Sequence, residues 1–461
     1  MTDIVPCLKQ ALGPGAVLDH DAVAERAISY WDQRPTCAKA LVRPANPLEV
    51  SAILALCHKY RQSVVTQGGK TTCVQGTQSG QNDIILSTER MDAIEEIDPI
   101  AGTATIQAGA ILENVQKAVQ EKGLFLPLDL GARGSCTLGG NLATNAGGVN
   151  VLRYGMARSM VLGLEAVLAD GTIISSMNTM LKNNAGYDLK QLFIGTEGTL
   201  GVITRMVVRL MPLSTTTNTA LVALADFAAV PHLLNHFKTH IGTTLSAFEV
   251  MWGDYVRAVT TPGAHRAPMD TGHGFYVLLE CDGSDAGRDH ARFMEVIETA
   301  FEGGLIQDAV LPKSESERQA LWAIRDDFEA ILHPKPVYLY DVSLPITKMQ
   351  AYVAQVQEHL KANLPSAALY VLGHIGDGNL HFFVQAHTQD EKARALADQA
   401  IYDPLRSVGG SISAEHGIGF EKKSWLGQSR SAAEITLMKT LKKTLDPENI
   451  LNPGLIFDLG R

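Results

Sequence analysis

Three glycine-rich segments in the first half of the chain constrain its fold most strongly, because glycine permits tight turns and close backbone packing. Six of the 18 residues from 131 to 148 are glycine, and small polar residues fill much of the rest. Two shorter segments, 67–72 and 195–204, border predicted strands. Glycines in such loops free backbone N–H groups to face an anion. Segment 67–72 alone is more typical of an ordinary turn, and none of the three matches a Walker A loop or the GxGxxG motif.

Length, charge and cysteine use narrow the class of protein. A chain of 461 residues is too long for one ordinary core and predicts two or three domains. A net charge of -10 argues against a nucleic-acid partner. Six irregularly spaced cysteines with no CxxC pair predict reduced thiols. The first residues lack signal-peptide features and no long apolar run occurs, which predicts a cytoplasmic protein, with peripheral membrane association as an alternative.

Local patterns alternate between helices and strands. Apolar periodicity and end signals predict helices over 47–60, 111–121 and 432–445. Strands are predicted over 63–66, 83–87, 103–108 and 201–211. The sequence Ala-Asp-Gly at 169–171, between two apolar runs, predicts a hairpin. Pro212 and the Ser/Thr run at 214–217 indicate a linker between domains.

The second half of the chain carries histidines among glycine turns. His374 and His381 are seven residues apart, and the Gly-Asp-Gly-Asn between them favours a strand–turn–strand unit. Two imidazoles, a carboxylate such as that of Glu415 and one open position form a catalytic metal site. The adjacent His416 is a candidate general base. Without further information, structural histidines held by hydrogen bonds are an equally good explanation.

Taken in order, these motifs resemble the FAD-binding oxidoreductases of the vanillyl-alcohol oxidase superfamily, in the branch that contains D-2-hydroxyglutarate dehydrogenase, D-lactate dehydrogenase and one component of glycolate oxidase. The similarity runs from about residue 37 to the Leu-Asn-Pro-Gly sequence at 451–454. It implies an α+β fold with a two-subdomain PCMH-type FAD-binding domain and a substrate- and metal-binding domain built on an antiparallel sheet. The predicted boundaries are an N-terminal cap at 1–36, the FAD domain at 37–213, the substrate domain at 214–420 and a helical segment at 421–461 that returns to the FAD domain.

The resemblance also implies roles for individual residues. FAD would be bound non-covalently, since no histidine stands at a usual attachment position, and the implied FAD-binding residues are Gln67, Gly68, Gly69, Lys70, Thr71, Thr72, Asp129, Ser135, Thr137, Gly139, Asn141, Asn145, Gly148, Glu197, Gly198, Ile203 and Asn452. His374, His381 and Glu415 would hold a divalent metal, zinc first, with cobalt or manganese as alternatives. His416 would act as the base, Arg325 would hold the substrate carboxylate, and Asn379 would position flavin or substrate.

Five positions depart from the family pattern, and two of them, Thr72 and Gln75, stand where glycine is usual. Lys70 stands where asparagine is usual, which leaves its contact in question: pyrophosphate or solvent. Glu329 replaces a threonine and Leu339 replaces a lysine that hydroxyglutarate enzymes tend to carry. Losing a cation and gaining a carboxylate should disfavour a second carboxylate on the substrate. The expected side chain is therefore neutral, apolar or basic, although His333 and Lys335 could restore positive charge.

These observations predict an FAD- and metal-dependent dehydrogenase that transfers a hydride from a D-2-hydroxyacid to flavin N5 and releases a 2-oxoacid. A D-2-hydroxyglutarate or D-lactate dehydrogenase proper is an alternative within the family. A metal-dependent hydrolase and a redox-inactive flavin-binding subunit are alternatives from other classes. The resemblance further implies a homodimer and an electron acceptor such as electron-transfer flavoprotein, a quinone or a cytochrome.

Overall fold

The computed structural model describes residues 3–260, 265–387 and 391–460, which form two compact units. The first unit comprises Met1–Gly147, Gly155–Leu213 and Glu415–Arg461. The second comprises Gly148–Tyr154 and Ser214–Ala414. Both units are therefore assembled from separate stretches of the chain.

Strands and helices are numbered in chain order. The strands are β1 Val17–Asp19, β2 Ala40–Val42, β3 Val64–Gln67, β4 Ile84–Ser87, β5 Ile94–Asp98, β6 Thr103–Gln107, β7 Leu124–Phe125, β8 Val161–Val167, β9 Ile173–Ser176, β10 Val202–Arg209, β11 Met211–Pro212, β12 Thr216–Leu224, β13 Leu245–Trp252, β14 Phe275–Gly283, β15 Asp308–Val310, β16 Val337–Ser343, β17 Ala368–His374 and β18 Asn379–Gln385. The α-helices are α1 Val5–Leu12, α2 His20–Ala24, α3 Pro47–Tyr60, α4 Leu112–Gln120, α5 Leu138–Thr144, α6 Val151–Tyr154, α7 Ala229–Ile241, α8 Gly253–Thr260, α9 Ala286–Glu302, α10 Glu315–Asp326, α11 Met349–Asn363, α12 Glu391–Tyr402, α13 Leu405–Val408, α14 Leu426–Ser429 and α15 Ala432–Leu445.

The first unit contains two main sheets. One has the order β1-β2-β4-β3, in which β2 and β3 both pair parallel to β4. The other is antiparallel with the order β5-β6-β10-β8-β9. A two-stranded pair, β7 with β11, completes the set. The four-stranded sheet, which is mixed because β1 pairs antiparallel with β2, packs its apolar residues against α1 and α3, so residues before position 37 share this core.

Local sequence signals explain where the helices of this unit begin. The Asn46 side chain accepts a hydrogen bond from the Glu49 N–H at 3.0 Å and Pro47 occupies the first turn, so α3 begins there. At α15, Ser431 and Glu434 form a reciprocal capping box. The predicted helices over 47–60 and 432–445 are confirmed, and α4 confirms the one over 111–121.

The second unit is built on one antiparallel sheet of seven strands, in the order β15-β12-β14-β13-β17-β18-β16. Helix α10 covers part of one face, where Leu321 and Ile324 join the apolar cluster beneath. Strands β17 and β18 meet at the turn 375–378, which confirms the predicted strand–turn–strand unit. Glu249, Asp341, His374 and His381 all lie on strands of this sheet.

The predicted fold class is confirmed by the mixed helix and sheet architecture. The 169–171 hairpin joins β8 to β9, and the predicted strands over 63–66, 83–87 and 103–108 correspond to β3, β4 and β6. Two details were wrong. The strand over 201–211 is interrupted at Leu210, and the 214–217 run is not wholly a linker because β12 begins at Thr216. All six cysteines are free thiols. None of the helices in the described part of the chain is long and apolar enough to cross a bilayer.

Candidate functional site

The first glycine loop lies directly against the second. A Cβ atom added to Gly69 would lie 2.0 Å from the Ser135 carbonyl oxygen, so only glycine fits there. Gln67 secures the loop from β3 by donating its side-chain amide to the Thr77 carbonyl oxygen at 2.9 Å. Among the described residues, the backbone N–H groups of residues 68–72 donate no hydrogen bond. Such a run of unused donors matches what a phosphate group needs.

The Lys70 side chain forms a hydrogen bond within the protein, whereas pyrophosphate and solvent were the two contacts considered for it. Its backbone adopts the left-handed conformation, with φ of 55°. Its ammonium group donates to the Ala27 carbonyl oxygen at 2.9 Å, and burial lowers its pKa. The side chain thus fastens the segment before β2 to the loop.

The second glycine loop leads into α5. Thr137 caps this helix by accepting from the Gly140 N–H, and Asn141 is buried within its first turn. Asn145 ends the helix in the left-handed conformation, with its side-chain oxygen accepting from the Arg158 N–H at 2.9 Å. The remaining predicted FAD-binding residues of this region are placed as follows: Asp129 pairs with Arg133 at 2.6 Å, Ser135 is exposed, Gly139 lies in α5, and Gly148 belongs to the second unit.

Glu197 connects the third glycine segment to the C-terminal part of the first unit. Its carboxylate oxygens accept from the backbone N–H groups of Ile418 and Gly419 at 2.7 and 2.9 Å. Burial raises the pKa of this carboxyl, and the two amides oppose that effect. Glu197 is half-buried, and these amides supply the hydrogen bonds that a carboxylate withdrawn from water requires. The other two predicted FAD-binding residues of this segment are Gly198, which lies against the Asn452 side chain, and Ile203, which is buried in β10.

Asn452 braces the same region. Its side-chain oxygen accepts from the Thr66 N–H at 2.9 Å, and its amide donates to the Glu197 carbonyl oxygen at 2.6 Å. Lys442, which no sequence motif indicated, adds a further support from α15. It is buried, pairs with Asp446 at 2.5 Å and donates to the carbonyl oxygens of Thr199 and Leu451. The third glycine segment and the strand β3, which leads into the first, are therefore held by side chains from the last 20 residues.

The second unit gathers polar side chains on one face of its sheet. In antiparallel pairing, directly opposed residues point to the same side. Glu249 opposes His374, and Asp341 opposes His381. The imidazole centroids of His374 and His381 are 5.3 Å apart. The structure thus brings together the two histidines that the sequence nominated as ligands.

Each of these histidines has a carboxylate beside it. Glu249 lies 2.7 Å from His374 Nδ1 and also accepts from Arg325 Nε at 2.8 Å. Burial would raise the pKa of Glu249, but attraction from His374 and Arg325 outweighs it and lowers the value to about 2. Asp341 is fully buried and lies 3.9 Å from His381 Nδ1. A carboxylate hydrogen-bonded to a histidine, as Glu249 is to His374, is typical of metal centres.

Asn379 and the chain before Glu415 are organised by Asp341. The Asn379 amide donates to Asp341 Oδ1 at 2.9 Å, while Asp341 Oδ2 accepts from the Ala414 N–H at 3.0 Å. Glu415 and His416 follow Ala414 directly in the chain and pack with the first unit.

Arg325 is buried on α10 rather than freely exposed. Besides Glu249, its guanidinium contacts Asp326 and lies 3.4 Å from His374 Nε2. Both Nη groups therefore already have a polar neighbour, and Nη2 lies on the polar face beside His374. A carboxylate bound there would receive a bidentate pair of hydrogen bonds.

The two departures in the predicted substrate domain, Leu339 and Glu329, lie in different environments. Leu339 is half-buried on β16 and, two residues from Asp341, lies on the same face of the sheet. It opposes Phe383 and packs with Phe328 in an apolar cluster. Glu329 is exposed in a short 3₁₀ turn, Glu329–Ile331. His333 and Lys335 are exposed as well.

Comparison with known proteins identifies the class. Residues 38–176 match the family model described as FAD binding domain. Residues 213–456 match the one described as FAD linked oxidases, C-terminal domain. A chain with both parts is an FAD-dependent oxidoreductase. It belongs to the family of FAD-linked oxidases, which confirms the resemblance drawn from its motifs.

Curated relatives cover most of the chain. D-2-hydroxyglutarate dehydrogenase of Bos taurus, a mitochondrial protein, is 41% identical over 419 residues, covering 90% of this chain and 76% of the relative. The mitochondrial enzyme of the same name from Arabidopsis thaliana is 37% identical over 97% of this chain and 80% of its own. That of Xanthomonas citri pv. viticola is 37% identical over 93% of this chain and 90% of its own.

Solved structures support the fold. A p-cresol methylhydroxylase with substrate bound superposes with a TM-score of 0.78 at 15% identity, covering 99% of this chain and 97% of its own. An alkyldihydroxyacetonephosphate synthase gives 0.76 at 19% identity, covering 98% and 86%. At such identities the likeness concerns the fold alone.

Proposed function

We propose that this chain is an FAD- and divalent-metal-dependent dehydrogenase that oxidises a D-2-hydroxyacid to the 2-oxoacid. The observation that carries the proposal is the pair His374 and His381 on one sheet face, each beside a buried carboxylate. The names of the curated relatives support the substrate class. When bound, FAD would accept the hydride and the metal would acidify the substrate hydroxyl.

The chain's own residues fit both groups. The unused N–H donors of residues 68–72 suit the FAD pyrophosphate, with the other predicted FAD residues of the glycine segments around it. The imidazoles of His374 and His381 and the carboxylate of Glu415 suit zinc, and cobalt or manganese could replace it. The main support for Glu415 as the third ligand is its position next to Ala414, which Asp341 holds.

Three further side chains would bind the substrate, remove its hydroxyl proton and position the flavin or the substrate. The two Nη groups of Arg325 would bind and orient the substrate carboxylate. The imidazole of His416 would take the hydroxyl proton as a hydride leaves C2, so that the substrate loses two protons and two electrons in all and becomes the 2-oxoacid. Asn379, fixed through Asp341, would position flavin or substrate.

We further propose that the substrate side chain is neutral or apolar, so that D-2-hydroxyglutarate is not the preferred substrate. Leu339, packed with Phe328 and Phe383 on the face that carries His381, favours an apolar group. A carboxylate placed there would lose hydration without gaining a cation. Because Glu329 is exposed, it is the weaker of the two arguments. D-2-Hydroxyglutarate remains the alternative substrate, whereas D-lactate, with its methyl side chain, agrees with the proposal.

Two measurements test this function. The purified protein should be yellow, and its flavin absorbance should bleach on anaerobic addition of a D-2-hydroxyacid but not of its L enantiomer. Removal of metal with a chelator should abolish bleaching while leaving the flavin bound. A yellow protein that no hydroxyacid bleaches would favour a redox-inactive subunit, and a flavin-free protein that hydrolyses esters or amides would favour a hydrolase.

A panel of D-2-hydroxyacids then addresses the substrate. The highest kcat/KM should belong to an acid with a neutral or apolar side chain, and a maximum for D-2-hydroxyglutarate would refute the specificity proposal alone. The acceptor is proposed to be electron-transfer flavoprotein, a quinone or a cytochrome, which an acceptor screen would distinguish. A homodimer and a cytoplasmic location remain predictions for light scattering and cell fractionation.

A further inference from the structure

We infer that Glu249 is a positioning residue that fixes the ring tautomer of His374 and, with the same carboxylate, holds Arg325 in place. The inference rests on the proposed function, because it concerns one predicted metal ligand and the predicted substrate clamp. It adds a residue that contacts neither flavin nor substrate in that proposal. Glu249 would act only through its two partners.

The geometry leaves little freedom at this carboxylate. Glu249 is 1% exposed on β13, with one oxygen 2.7 Å from His374 Nδ1 and the other 2.8 Å from Arg325 Nε. A carboxylate paired with a guanidinium is ionised and can only accept hydrogen bonds. His374 Nδ1 must therefore carry a proton, and in the neutral ring the lone pair lies on Nε2. Nε2 is the nitrogen that could bind a metal, and Arg325 Nη2 lies 3.4 Å from it.

The same carboxylate determines where the guanidinium points. The bond from Nε to Glu249 fixes the plane of the guanidinium, in which Nη1 lies 3.4 Å from Asp326 and Nη2 lies 3.4 Å from His374 Nε2. The ligand nitrogen and the substrate clamp are thus oriented by a single buried group. A change at Glu249 should disturb both together.

A neighbouring residue provides a matched control. Glu280 lies on β14, on the same face of the sheet, and is also buried. It accepts from Arg318 of α10 at 2.6 and 2.9 Å and from Trp322 at 2.7 Å. Arg318 and Arg325 are seven residues apart, two helical turns, so two buried carboxylates anchor one face of α10. Of these two carboxylates, Glu249 is the one hydrogen-bonded to an imidazole.

The variant Glu249→Gln tests whether the Glu249 carboxylate fixes the tautomer of His374 or only packs against it. The glutamine oxygen must face Arg325, since a guanidinium only donates. Its NH₂ group then faces His374 Nδ1, which can accept only if the ring proton moves to Nε2. Loss of such an orienting partner typically weakens metal binding by about 10- to 100-fold. Glu280→Gln loses a comparable ion pair but leaves the imidazole unchanged.

The experiment uses the full-length, FAD-loaded protein. Zn²⁺ affinity is measured by competition with a chromophoric chelator, and the His374 tautomer by ¹⁵N NMR of histidine-labelled, metal-free protein, assigned with His374→Gln. We expect Glu249→Gln to lose at least about tenfold in Zn²⁺ affinity and to shift the His374 proton to Nε2. Glu280→Gln should keep both properties, and Glu249→Asp, which retains an acceptor, should keep the tautomer.

Two results would overturn the inference: an unchanged His374 tautomer in Glu249→Gln, or equal losses of Zn²⁺ affinity in Glu249→Gln and Glu280→Gln. If Glu249→Gln does not fold, the His374 tautomer is measured in the wild type and in Glu249→Asp instead. A His374 ring proton on Nε2 in either protein would contradict the inference. Wild-type protein that binds no Zn²⁺ would refute the proposed metal dependence, while the metal-free NMR measurement would still judge Glu249.

Discussion

Replacing Lys442 by methionine should destabilise the protein strongly. Lys442 and Asp446 are almost fully buried, with side chains 3% and 0% exposed, and their charged atoms are 2.5 Å apart. Removing one partner of a buried ion pair costs about 3–5 kcal/mol, because the other charge is left uncompensated. Asp446 still accepts from the N–H groups of Ile450 and Leu451, which places the expected loss near the lower end, about 3 kcal/mol.

The measurement is equilibrium urea unfolding, with the change in midpoint converted through the slope of the transition. Lys443→Met is the matched control, because Lys443 is exposed one position along α15 and should change stability by no more than about 0.5 kcal/mol. Adding Asp446→Asn to Lys442→Met should recover part of the loss. A loss below about 1 kcal/mol for Lys442→Met would refute the reasoning that this ion pair is a buried, desolvated contact.

Three further predictions concern the site and its supports. Leu339→Lys should raise kcat/KM for D-2-hydroxyglutarate relative to D-2-hydroxybutyrate by about tenfold, because a cation would meet the second carboxylate; an unchanged ratio in steady-state kinetics would place the side chain elsewhere. Arg325→Lys should raise KM by about tenfold or more through loss of bidentate binding, with far-ultraviolet circular dichroism as the check on folding. Gly419→Ala should lower the melting temperature and release FAD, because the added Cβ would lie 1.9 Å from the Val74 carbonyl oxygen at a φ of +55°; normal flavin content would contradict this.

Much of the fold follows from local sequence signals. The capping box at Ser431 and the proline at position 47 place two helices to the residue, because these signals act within one turn. The β8–β9 hairpin follows from Asp-Gly between apolar runs. His374 and His381 are predictable as a pair because a short glycine turn joins their strands.

The supporting residues were missed for a physical reason. Glu249 meets His374 across β13 and β17, which are 125 positions apart at this contact, and no local pattern encodes that register. Asp341 and Lys442 likewise act on distant segments. One signal was available: Glu249 and Asp341 are charged residues within otherwise apolar strands, and a buried charge requires a partner.

The first unit has a consequence for how the protein can be made. The glycine segment 195–204 and the strand β3 lie in the first half of the chain, but Lys442 and Asn452, which support them, come from the last 20 residues. During synthesis this unit therefore cannot complete its packing until nearly the whole chain has left the ribosome, whereas most of the second unit emerges earlier. A fragment ending near residue 213 should accordingly behave as a partly folded, aggregation-prone chain, and co-expression with a fragment containing residues 415–461 should rescue its solubility.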